Sequence, residues 1–413
     1  MSVKISNEIK LDKFTVKQLA EIDACTRCGN CLDLCSAYIG SSDVSISPKK
    51  KMEKLKKAVD ARYNIFYRLF GKKKLSEKDL EAISKAAFDC TMCSRCEVDC
   101  HINIKLKDMW LKLREILVDS GKYPEILDMM RTRLINSHNV SFDTNEGRTN
   151  WAAQIPDIPE NRYIKEKADV LYFVGCVSSF SPRVFKIPRS IVQILNAANV
   201  DFGLLGDEEW CCGFPLLSSG FKEDFIDFAK HNIEKVNKTG ARYLITSCPS
   251  CYHMWKHTYA ELKLGIKAEF EILHVVQYIY RIVKEGKLTL KPLDLKVTYH
   301  DPCDLGRNSD VYEEPRNLIK MIPGVKFVEL ENNRKLATCC GGGGNVEAVN
   351  VKLSDSIAKI KAHEIIKTGA DIIVTSCQQC VRTIQQALKK ENSKIKAMDL
   401  TELILASISG TQV

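Results

Sequence analysis

The stretch Lys238–Cys251 reads KTGARYLITSCPSC, and Lys367–Cys380 repeats it as KTGADIIVTSCQQC. In each copy an apolar run rich in β-forming residues ends directly at a C-x2-C pair. Such a run is typical of a buried strand that brings its cysteines to the strand end. The repetition therefore predicts two copies of one domain in the chain.

Ten cysteines take part in the repeat, with an offset of 127 to 129 residues between the copies. A single cysteine comes first, a Cys-Cys-Gly doublet follows, and the C-x2-C pair completes each set. Helical periods such as Phe225–Val236 alternate with the strand-like runs, which predicts α/β layers with parallel strands and cysteines at the strand ends. The first five-cysteine set is Cys176, Cys211, Cys212, Cys248 and Cys251, and the second is Cys303, Cys339, Cys340, Cys377 and Cys380.

The other eight cysteines form two C-x2-C-x2-C-x3-C motifs, Cys25, Cys28, Cys31 and Cys35, then Cys90, Cys93, Cys96 and Cys100. In bacterial two-cluster ferredoxins with this spacing, three thiolates hold one [4Fe–4S] cluster and the fourth reaches the other cluster. Structural zinc, the alternative, uses paired C-x2-C knuckles. Ser36 and His101 stand where proline usually follows the fourth cysteine. The spacing predicts one cluster on Cys25, Cys28, Cys31 and Cys100 and a second on Cys90, Cys93, Cys96 and Cys35.

Helical patterns dominate the first part of the chain. The long spacing between Cys35 and Cys90 and the amphipathic period of Leu106–Leu117 favour a helical two-cluster domain. The loop-like stretch Asn139–Asn150 marks its end. We therefore predict an α+β chain with an N-terminal α-helical two-[4Fe–4S] ferredoxin domain (1–150) followed by two repeated α/β domains (151–290 and 291–413).

Length and composition indicate a folded protein of two or three domains, since the chain has 413 residues. It starts MSVKISNEIK, without the pattern of a secretory signal, so we expect a reducing, cytoplasmic compartment. There, clustered cysteines are metal ligands or redox centres more often than disulfides. Apolar runs such as Val170–Val174 are far shorter than the roughly 20 residues of a membrane helix, so no membrane span is predicted.

The net charge of +9 is concentrated between Pro48 and Lys74, where eleven Lys and Arg face two acidic residues. A solvated helical face is one interpretation. The aromatic stretch Tyr63–Phe70, YNIFYRLF, suggests another, which is docking to an acidic partner or to an anionic membrane surface. No nucleic-acid recognition motif accompanies the charge, and we predict no nucleic-acid partner.

Five cysteines in a set are one more than a cubane cluster or tetrahedral zinc takes. Adjacent cysteines can place one sulfur on each of two neighbouring irons or bridge them, and Gly213 and Gly341 remove a Cβ that would crowd the turn. A vicinal disulfide, ordinary core cysteines, or four ligands with one free thiol are the alternatives. The GGGG stretch after Cys340 lacks the G-x-G-x-x-G spacing, so no flavin or nicotinamide site is predicted.

The two sets resemble the CCG domain, and Tyr299–Arg316, YHDPCDLGRNSDVYEEPR, resembles the D-type catalytic subunit of heterodisulfide reductase. The resemblance covers nearly the whole chain. It implies a noncubane [4Fe–4S] cluster on each five-cysteine set, beside the two cubane clusters of the N-terminal domain. It also implies reduction of the coenzyme M–coenzyme B heterodisulfide to two thiols by single electrons from a partner, either a membrane cytochrome b or a soluble flavin or iron–sulfur subunit.

Further site residues follow from this resemblance. His300, beside Cys303, is a candidate proton donor, although a histidine at a strand end is more often structural. Asp304 stands where the family usually has histidine, which puts the local proton donor in question. Clamping of the substrate's sulfonate, phosphate and carboxylate groups is assigned to arginines near the first cysteine of each set, Arg183, Arg189, Arg307 and Arg316. The basic run 48–74 is a candidate partner or membrane-surface contact.

Three other functions compete with this hypothesis. The iron–sulfur subunits of glycolate, lactate or glycerol-3-phosphate dehydrogenases share the layout and only relay electrons for a flavin subunit. A thiol/disulfide subunit associated with sulfite reduction is a nearer relative of the same layout. A zinc-stapled scaffold belongs to a different class, and iron and acid-labile sulfide analysis separates it from the others.

Overall fold

The computed structural model describes residues 10–64, 75–262 and 264–412. The chain folds into two compact units. The helical unit contains Met1–Met129, Pro215–Lys222 and Gly341–Ile360, and the sheet unit contains Met130–Phe214, Glu223–Cys340 and Lys361–Val413. This division differs from the predicted boundaries 1–150, 151–290 and 291–413, because a short segment after each cysteine doublet belongs to the helical unit. The predicted boundaries stay predictions.

The first part of the helical unit is built from short helices joined by cysteine-bearing loops. Thr15 and Ser76 begin two of the helices with capping boxes, and Pro48 opens another at the first helical position, where its missing N–H costs no hydrogen bond. Among the described residues up to Asp119, the α-helices are α1 (Val16–Ala24), α2 (Asn30–Asp33), α3 (Ser36–Ser41), α4 (Pro48–Tyr63), α5 (Glu77–Phe88) and α6 (Leu106–Asp119).

Helix α6 coincides with the amphipathic period predicted over Leu106–Leu117. Met109, Trp110 and Leu113 are buried on its inner face. Because residues three and four apart share one face of a helix, this spacing directs them together into the core of the helical unit. The predicted helical N-terminal region is confirmed.

The sheet unit holds two four-stranded sheets in which every neighbouring pair of strands is parallel. The strand orders β2-β1-β3-β4 and β6-β5-β7-β8 are the same topology used twice, so the predicted tandem α/β repeat is confirmed. The first sheet has β1 (Val170–Phe173), β2 (Phe202–Gly203), β3 (Tyr243–Thr246) and β4 (Glu271–His274), and the second has β5 (Lys296–His300), β6 (Lys326–Glu329), β7 (Ile372–Thr375) and β8 (Lys396–Asp399).

The apolar runs that end at the C-x2-C pairs form β3 and β7, which are inner strands of the two sheets. Every residue of β1 and β7 is buried, as parallel strands covered by helices on both faces require. The predicted helix Phe225–Val236 lies within α11 (Lys222–Lys238), which buries Phe225, Phe228 and Val236 along one face.

Helices connect the strands throughout the two repeats. A π-helical turn, Met254–Thr258, separates α12 (Pro249–His253) from α13 (Tyr259–Glu261). From Glu125 onward the helices are α7 (Glu125–Ser137), α8 (Cys176–Phe180), α9 (Lys186–Ala197), α10 (Phe214–Ser219), α11 (Lys222–Lys238), α12 (Pro249–His253), α13 (Tyr259–Glu261), α14 (Val275–Lys284), α15 (Glu313–Met321), α16 (Val346–Val349), α17 (Val351–Ile366), α18 (Gln378–Lys390) and α19 (Leu400–Ser409).

The basic run 48–74 is only partly described. Its first part is α4, and residues 65–74, which include most of the aromatic stretch, lie outside the described residues. Several of its lysines form ion pairs inside the helical unit: Lys50 with Glu53, Lys56 with Asp23 and Asp60, and Lys57 with Asp79. Partner or membrane docking through 48–74 stays a prediction.

Over the described ranges, we find no helix with the length and apolar character needed to cross a bilayer.

Candidate iron–sulfur and disulfide site

The helical unit places its eight cysteines around two cavities. Site A is lined by Cys25, Cys28, Cys31 and Cys100, so the fourth cysteine of the second motif joins three of the first. Cys28 is exposed, and its Sγ atom lies 3.8 Å from Nδ1 of His101. This grouping is the one that the ferredoxin spacing predicts.

Site B is lined by the complementary four, Cys35, Cys90, Cys93 and Cys96. Cys35 precedes α3, and its sulfur accepts a hydrogen bond from the backbone N–H of Tyr38 at 3.5 Å. Burial raises the pKa of Cys31 and of Cys35 to about 11, so a bound positive centre would favour the thiolate form of these sulfurs. Four converging sulfurs in each cavity fit a four-cysteine iron–sulfur cluster.

Arg114 fixes the loop of site B, and sequence reasoning missed it. The side chain is fully buried, and its N–H groups donate to five carbonyl oxygens within the helical unit. Those acceptors belong to Ala87, Phe88, Cys90, Ser218 and Gly344, at 2.6 to 3.3 Å. Burial lowers the pKa of Arg114 to about 10. One side chain thus joins a site B cysteine to the two segments that follow the doublets in the sequence.

In the sheet unit, the first five-cysteine set gathers at the carboxyl ends of β1 and β3. Neighbouring thiols interact with one another in the order Cys176, Cys211, Cys212, Cys251 and Cys248. Hydrogen bonds from Cys211 and Cys251 lower the pKa of Cys212. These strand ends flank the topological switch point of the sheet, where α/β proteins place their sites.

A buried ion pair supports the first set, and it too was missed. Arg148 and Glu209 are each 1% exposed and lie 2.7 Å apart. Nη2 of Arg148 is 3.8 Å from the Sγ atom of Cys176. The Glu209 carboxylate accepts the backbone N–H groups of Val174 and Gly175, at the end of β1. The pair orients the loop that carries Cys176 and places a positive charge beside its sulfur.

In the second set, contacts join Cys340, Cys377 and Cys380 beside the end of β7. The Sγ atoms of Cys340 and Cys380 are 3.3 Å apart, and Cys377 accepts the backbone N–H of Cys380 at 3.5 Å. A ring nitrogen of His300 lies within 4.8 Å of the sulfurs of Cys340 and Cys380. Cys303 is half-buried, and Cys339 is buried next to Cys340. The neighbouring charge here is Lys361, fully buried and 2.6 Å from Glu364.

Side chains of the two repeats meet within the sheet unit. The hydroxyl of Ser250, between the cysteines of the first C-x2-C pair, donates to Asp304 at 2.7 Å. Nε2 of Gln378, inside the second pair, donates to the hydroxyl of Ser247 at 2.7 Å. The pKa of Cys377 is raised: a hydrogen bond to Cys380 lowers it, while burial and the charge of Cys248 raise it. The two C-x2-C pairs therefore face each other.

Glycine is required after each doublet. Gly213 has φ +77°, and a Cβ there would come within 2.7 Å of the Cβ of Phe225. Gly341 has φ +94°, and a Cβ there would lie 2.5 Å from the carbonyl oxygen of Ser354. Both positions combine a left-handed backbone with a close approach by a neighbouring helix. The crowding that the glycines relieve thus comes from the neighbouring helices.

The predicted arginines differ in their surroundings. Arg183 is exposed, and Arg307 is half-buried, with Nη1 donating to the carbonyls of Lys335 and Ala337 near Cys339. Arg189 donates to the carbonyl of Trp151 and to Gln154.

Arg316 is fully buried, and all five of its N–H groups are engaged. They donate to Asp301, Glu329 and the carbonyl of Tyr312. This arrangement serves the core of the second repeat and leaves no donor for a substrate, contrary to the role assigned to Arg316 from the sequence.

His300 and Asp304 can also be placed. His300 is 2% exposed, and burial lowers its pKa to about 3, so the imidazole is neutral. Asp304 is 6% exposed and accepts hydrogen bonds from Ser250 and from Nδ2 of Asn308, both at 2.7 Å. The aspartate that departs from the family's histidine thus joins the two repeats.

Comparison with known proteins agrees with this layout. The cysteine-rich CCG domain family matches residues 170–256 and 297–385, and the 4Fe-4S dicluster domain family matches residues 21–104. The chain is 32% identical over 411 residues to the D-type subunit of the dihydromethanophenazine:CoB–CoM heterodisulfide reductase of Methanosarcina mazei, covering 98% of each chain. It is 28% identical to the EtfAB:quinone oxidoreductase of Syntrophomonas wolfei, covering 95% of this chain and 59% of that protein.

A solved structure shares the fold alone. A hypothetical protein from Helicobacter pylori superposes with a TM-score of 0.51 at 11% identity, covering 96% of this chain and 73% of the other. Taken with the matches above, the protein is an iron–sulfur oxidoreductase, and it belongs to the family of D-type heterodisulfide reductase subunits, which join a 4Fe-4S dicluster domain to two CCG domains.

Proposed function

We propose that the protein reduces the coenzyme M–coenzyme B heterodisulfide to two thiols, with electrons from a partner subunit. The observation that carries this proposal is the meeting of the two C-x2-C pairs, through Ser250 and Asp304 and through the interaction of Cys248 with Cys377. A disulfide takes two electrons and two protons to give two thiols. Two redox centres that face one bond can supply the two electrons, one from each side.

The cysteines provide the donor sets for four clusters. Sites A and B would each hold a cubane [4Fe–4S] cluster, and each five-cysteine set would hold a noncubane [4Fe–4S] cluster. The chain of interactions that links each thiol of the first set to the next fits a centre that takes one ligand more than a cubane does. When bound, the clusters carry single electrons, and those on the five-cysteine sets deliver them to the disulfide. No flavin or nicotinamide is assigned to this chain.

A buried cation near each five-cysteine set stabilises negative charge on the sulfurs. Arg148 beside Cys176 and Lys361 near Cys340 favour sulfur in its thiolate form, because a neighbouring positive charge stabilises an anion in a poorly solvated site. Glu209 and Glu364 hold these cations in place. His300 stays a candidate for proton transfer, because its ring reaches the sulfurs of Cys340 and Cys380. Burial keeps the imidazole neutral, so it would have to take up a proton before giving one to a sulfur.

The substrate's anionic groups need cations at the mouth of the site. Arg307 is the best-placed of the predicted arginines, since it is anchored to the carbonyl of Ala337, two residues before Cys339. Arg183 is exposed and available at the start of the first repeat. A guanidinium suits sulfonate, phosphate and carboxylate groups because its N–H groups can engage two oxygens at once.

We assign electron delivery to a partner that docks on the helical unit, either a membrane cytochrome b or a soluble flavin or iron–sulfur protein. Relatives named as one subunit of a reductase support a multi-subunit assembly. The proposed location is cytoplasmic, with membrane association through the partner.

A relay subunit without chemistry of its own is the second candidate. The likeness to EtfAB:quinone oxidoreductase favours it, because that relative's name describes electron transfer between proteins and a quinone. Asp304 favours it as well, since its carboxylate is occupied by Ser250 and Asn308.

The two candidates separate in an anaerobic assay. Purified protein is supplied with reduced viologen and the heterodisulfide, and thiol release is followed together with iron and sulfide content. Thiol release above the rate of the viologen alone supports the reductase. A full complement of iron without thiol release, together with co-purification of a flavoprotein, supports the relay subunit.

A further inference from the structure

Lys51 is a buried cation in the helical unit. Its side chain is 3% exposed and extends from α4, with Nζ 4.5 Å from the centre of the Trp110 ring. Among the described residues, no carboxylate oxygen lies within 4.0 Å of Nζ. A buried ammonium group normally has an anionic partner, because desolvation of an unpaired charge is costly.

The groups that surround Lys51 are the sulfurs of site B. Lys51 lines the cavity of site B together with its four cysteines, and its charge interacts with Cys90, Cys35 and Cys96. Lys107, 7% exposed, lines the same cavity. The positive charge of Lys51 is therefore balanced only if site B carries negative charge, as a cluster on four thiolates does.

Site A differs in this respect. Lys49, two positions earlier on α4, lines site A but is only half-buried, so its charge is screened by water. Cys28 of site A is exposed. The first turns of α4 thus present one lysine to each site, a solvated lysine to site A and a desolvated lysine to site B.

We infer that Lys51 sets the order in which the two N-terminal clusters are reduced, by holding the potential of the site B cluster above that of the site A cluster. Added electrons make a cluster more negative, so a fixed nearby cation stabilises its reduced form, and the effect grows as solvent is excluded. The step concerned is a one-electron transfer in which site A is oxidised and site B is reduced, with no bond or proton exchanged. Electrons received at the exposed site A then run downhill to site B.

This inference rests on the cluster assignment within the proposed function, although not on the identity of the substrate. The test is an EPR-monitored redox titration of the full-length holoprotein, in wild type and in Lys51→Met, Lys51→Arg and Lys49→Met variants. Iron and sulfide are measured in each preparation, and the site A signal is identified by its change in Cys28→Ser. No disulfide substrate is present, so failure of disulfide reduction leaves the test intact.

We expect Lys51→Met to move the midpoint potential of the site B cluster to a more negative value and to leave site A unmoved. Lys51→Arg, which keeps the charge, should retain the wild-type order, and Lys49→Met should shift neither midpoint by as much. If Lys51→Met does not retain its iron, Lys51→Gln replaces it. Unchanged midpoints in the charge-removing variant at full iron content, or an equal shift in Lys51→Arg, would overturn the inference.

Discussion

The two CCG repeats share a topology but differ in the charges buried behind their sulfurs. In the first repeat, Arg148 and Glu209 lie beside Cys176. By the repeat offset, Ala337 occupies the place of Glu209 in the second repeat, and Lys361 occupies that of Asn232. Asn232 is neutral and bonds to the backbone of Trp210 and Cys211, whereas Lys361 is a cation paired with Glu364.

This difference shows that the repeat preserves where the sulfurs lie and varies what surrounds them. Strand ends and glycine turns place the cysteines, and that framework is the same in both copies. In the first repeat the buried cation, Arg148, lies beside the first cysteine of the set, whereas in the second repeat the buried cation, Lys361, interacts with the doublet. Two centres that are electrostatically unequal are suited to unequal roles at the two ends of an asymmetric disulfide.

The largest effect is expected at the doublets. Cys212→Ser and Cys340→Ser should each lower disulfide reduction by at least about 100-fold, since each removes a sulfur ligand from one facing centre. Steady-state thiol release measures the loss, and EPR should still show both clusters of the helical unit. Full activity in only one of the two variants would assign the chemistry to a single repeat. Full activity in both would remove the doublets from the mechanism.

The second prediction concerns stability and the buried ion pair of the first repeat. Arg148→Met leaves the Glu209 carboxylate buried without its cation, which costs about 3–5 kcal/mol of unfolding free energy. The double variant Arg148→Met/Glu209→Gln should lose less than the single variant, because no unpaired charge remains. Denaturant unfolding of the anaerobic protein measures both. A double variant less stable than Arg148→Met would show that the pair matters through packing.

The cysteine sites could be identified from the sequence because the spacing of cysteines along the chain is characteristic of the group they bind. The C-x2-C-x2-C-x3-C pattern paired Cys100 with the first motif, and those four residues line one cavity. The repeated apolar runs that end at cysteine predicted the tandem parallel sheets.

Sequence reasoning did not find the charged side chains that support the cysteine sites. Arg114 bonds to backbone carbonyls as far as 230 positions away, at Gly344. Carbonyl oxygens are present at every residue, so they leave no pattern in the sequence. Arg316, in contrast, was noticed for its type and nearness to Cys303, yet its partners Asp301 and Glu329 were not. The nearness of Arg316 to Cys303 in the sequence therefore did not predict what the Arg316 side chain does.

A third prediction concerns the helix caps that follow β4 and β8. His274 and Asp399 occupy equivalent positions, and each begins a helix with a capping box. Burial lowers the pKa of His274 to about 3, so the stability it contributes is full above pH 6.5 and is lost as the pH falls. Burial raises the pKa of Asp399 to about 7, so its contribution is full in acid and is lost as the pH rises through that value.

Between pH 5 and 6.5 the two contributions to the unfolding free energy have opposite signs and about 2 kcal/mol of change each. Relative to wild type, His274→Gln should therefore lower the slope of stability against pH and Asp399→Asn should raise it, because the other buried groups, such as His300, contribute equally to all three proteins. Unfolding midpoints measured across this range test both slopes. Equal slopes of stability against pH in the two variants would contradict the opposite contributions of His274 and Asp399.

The smallest effect is expected where the two repeats touch. Ser250→Ala removes the hydroxyl that donates to Asp304 and leaves a buried carboxylate oxygen one partner short, at a cost of about 1–3 kcal/mol. Ser309→Ala is the matched control, because the Ser309 hydroxyl also spans the repeats but lies 3.4 Å from Nδ1 of His253. If contact between the C-x2-C pairs positions the two centres on one disulfide, thiol release should fall in Ser250→Ala more than in Ser309→Ala. Equal rates of thiol release in the two variants would mean that the sheets alone position the two centres. Asp304 would then contribute to stability and not to the reaction.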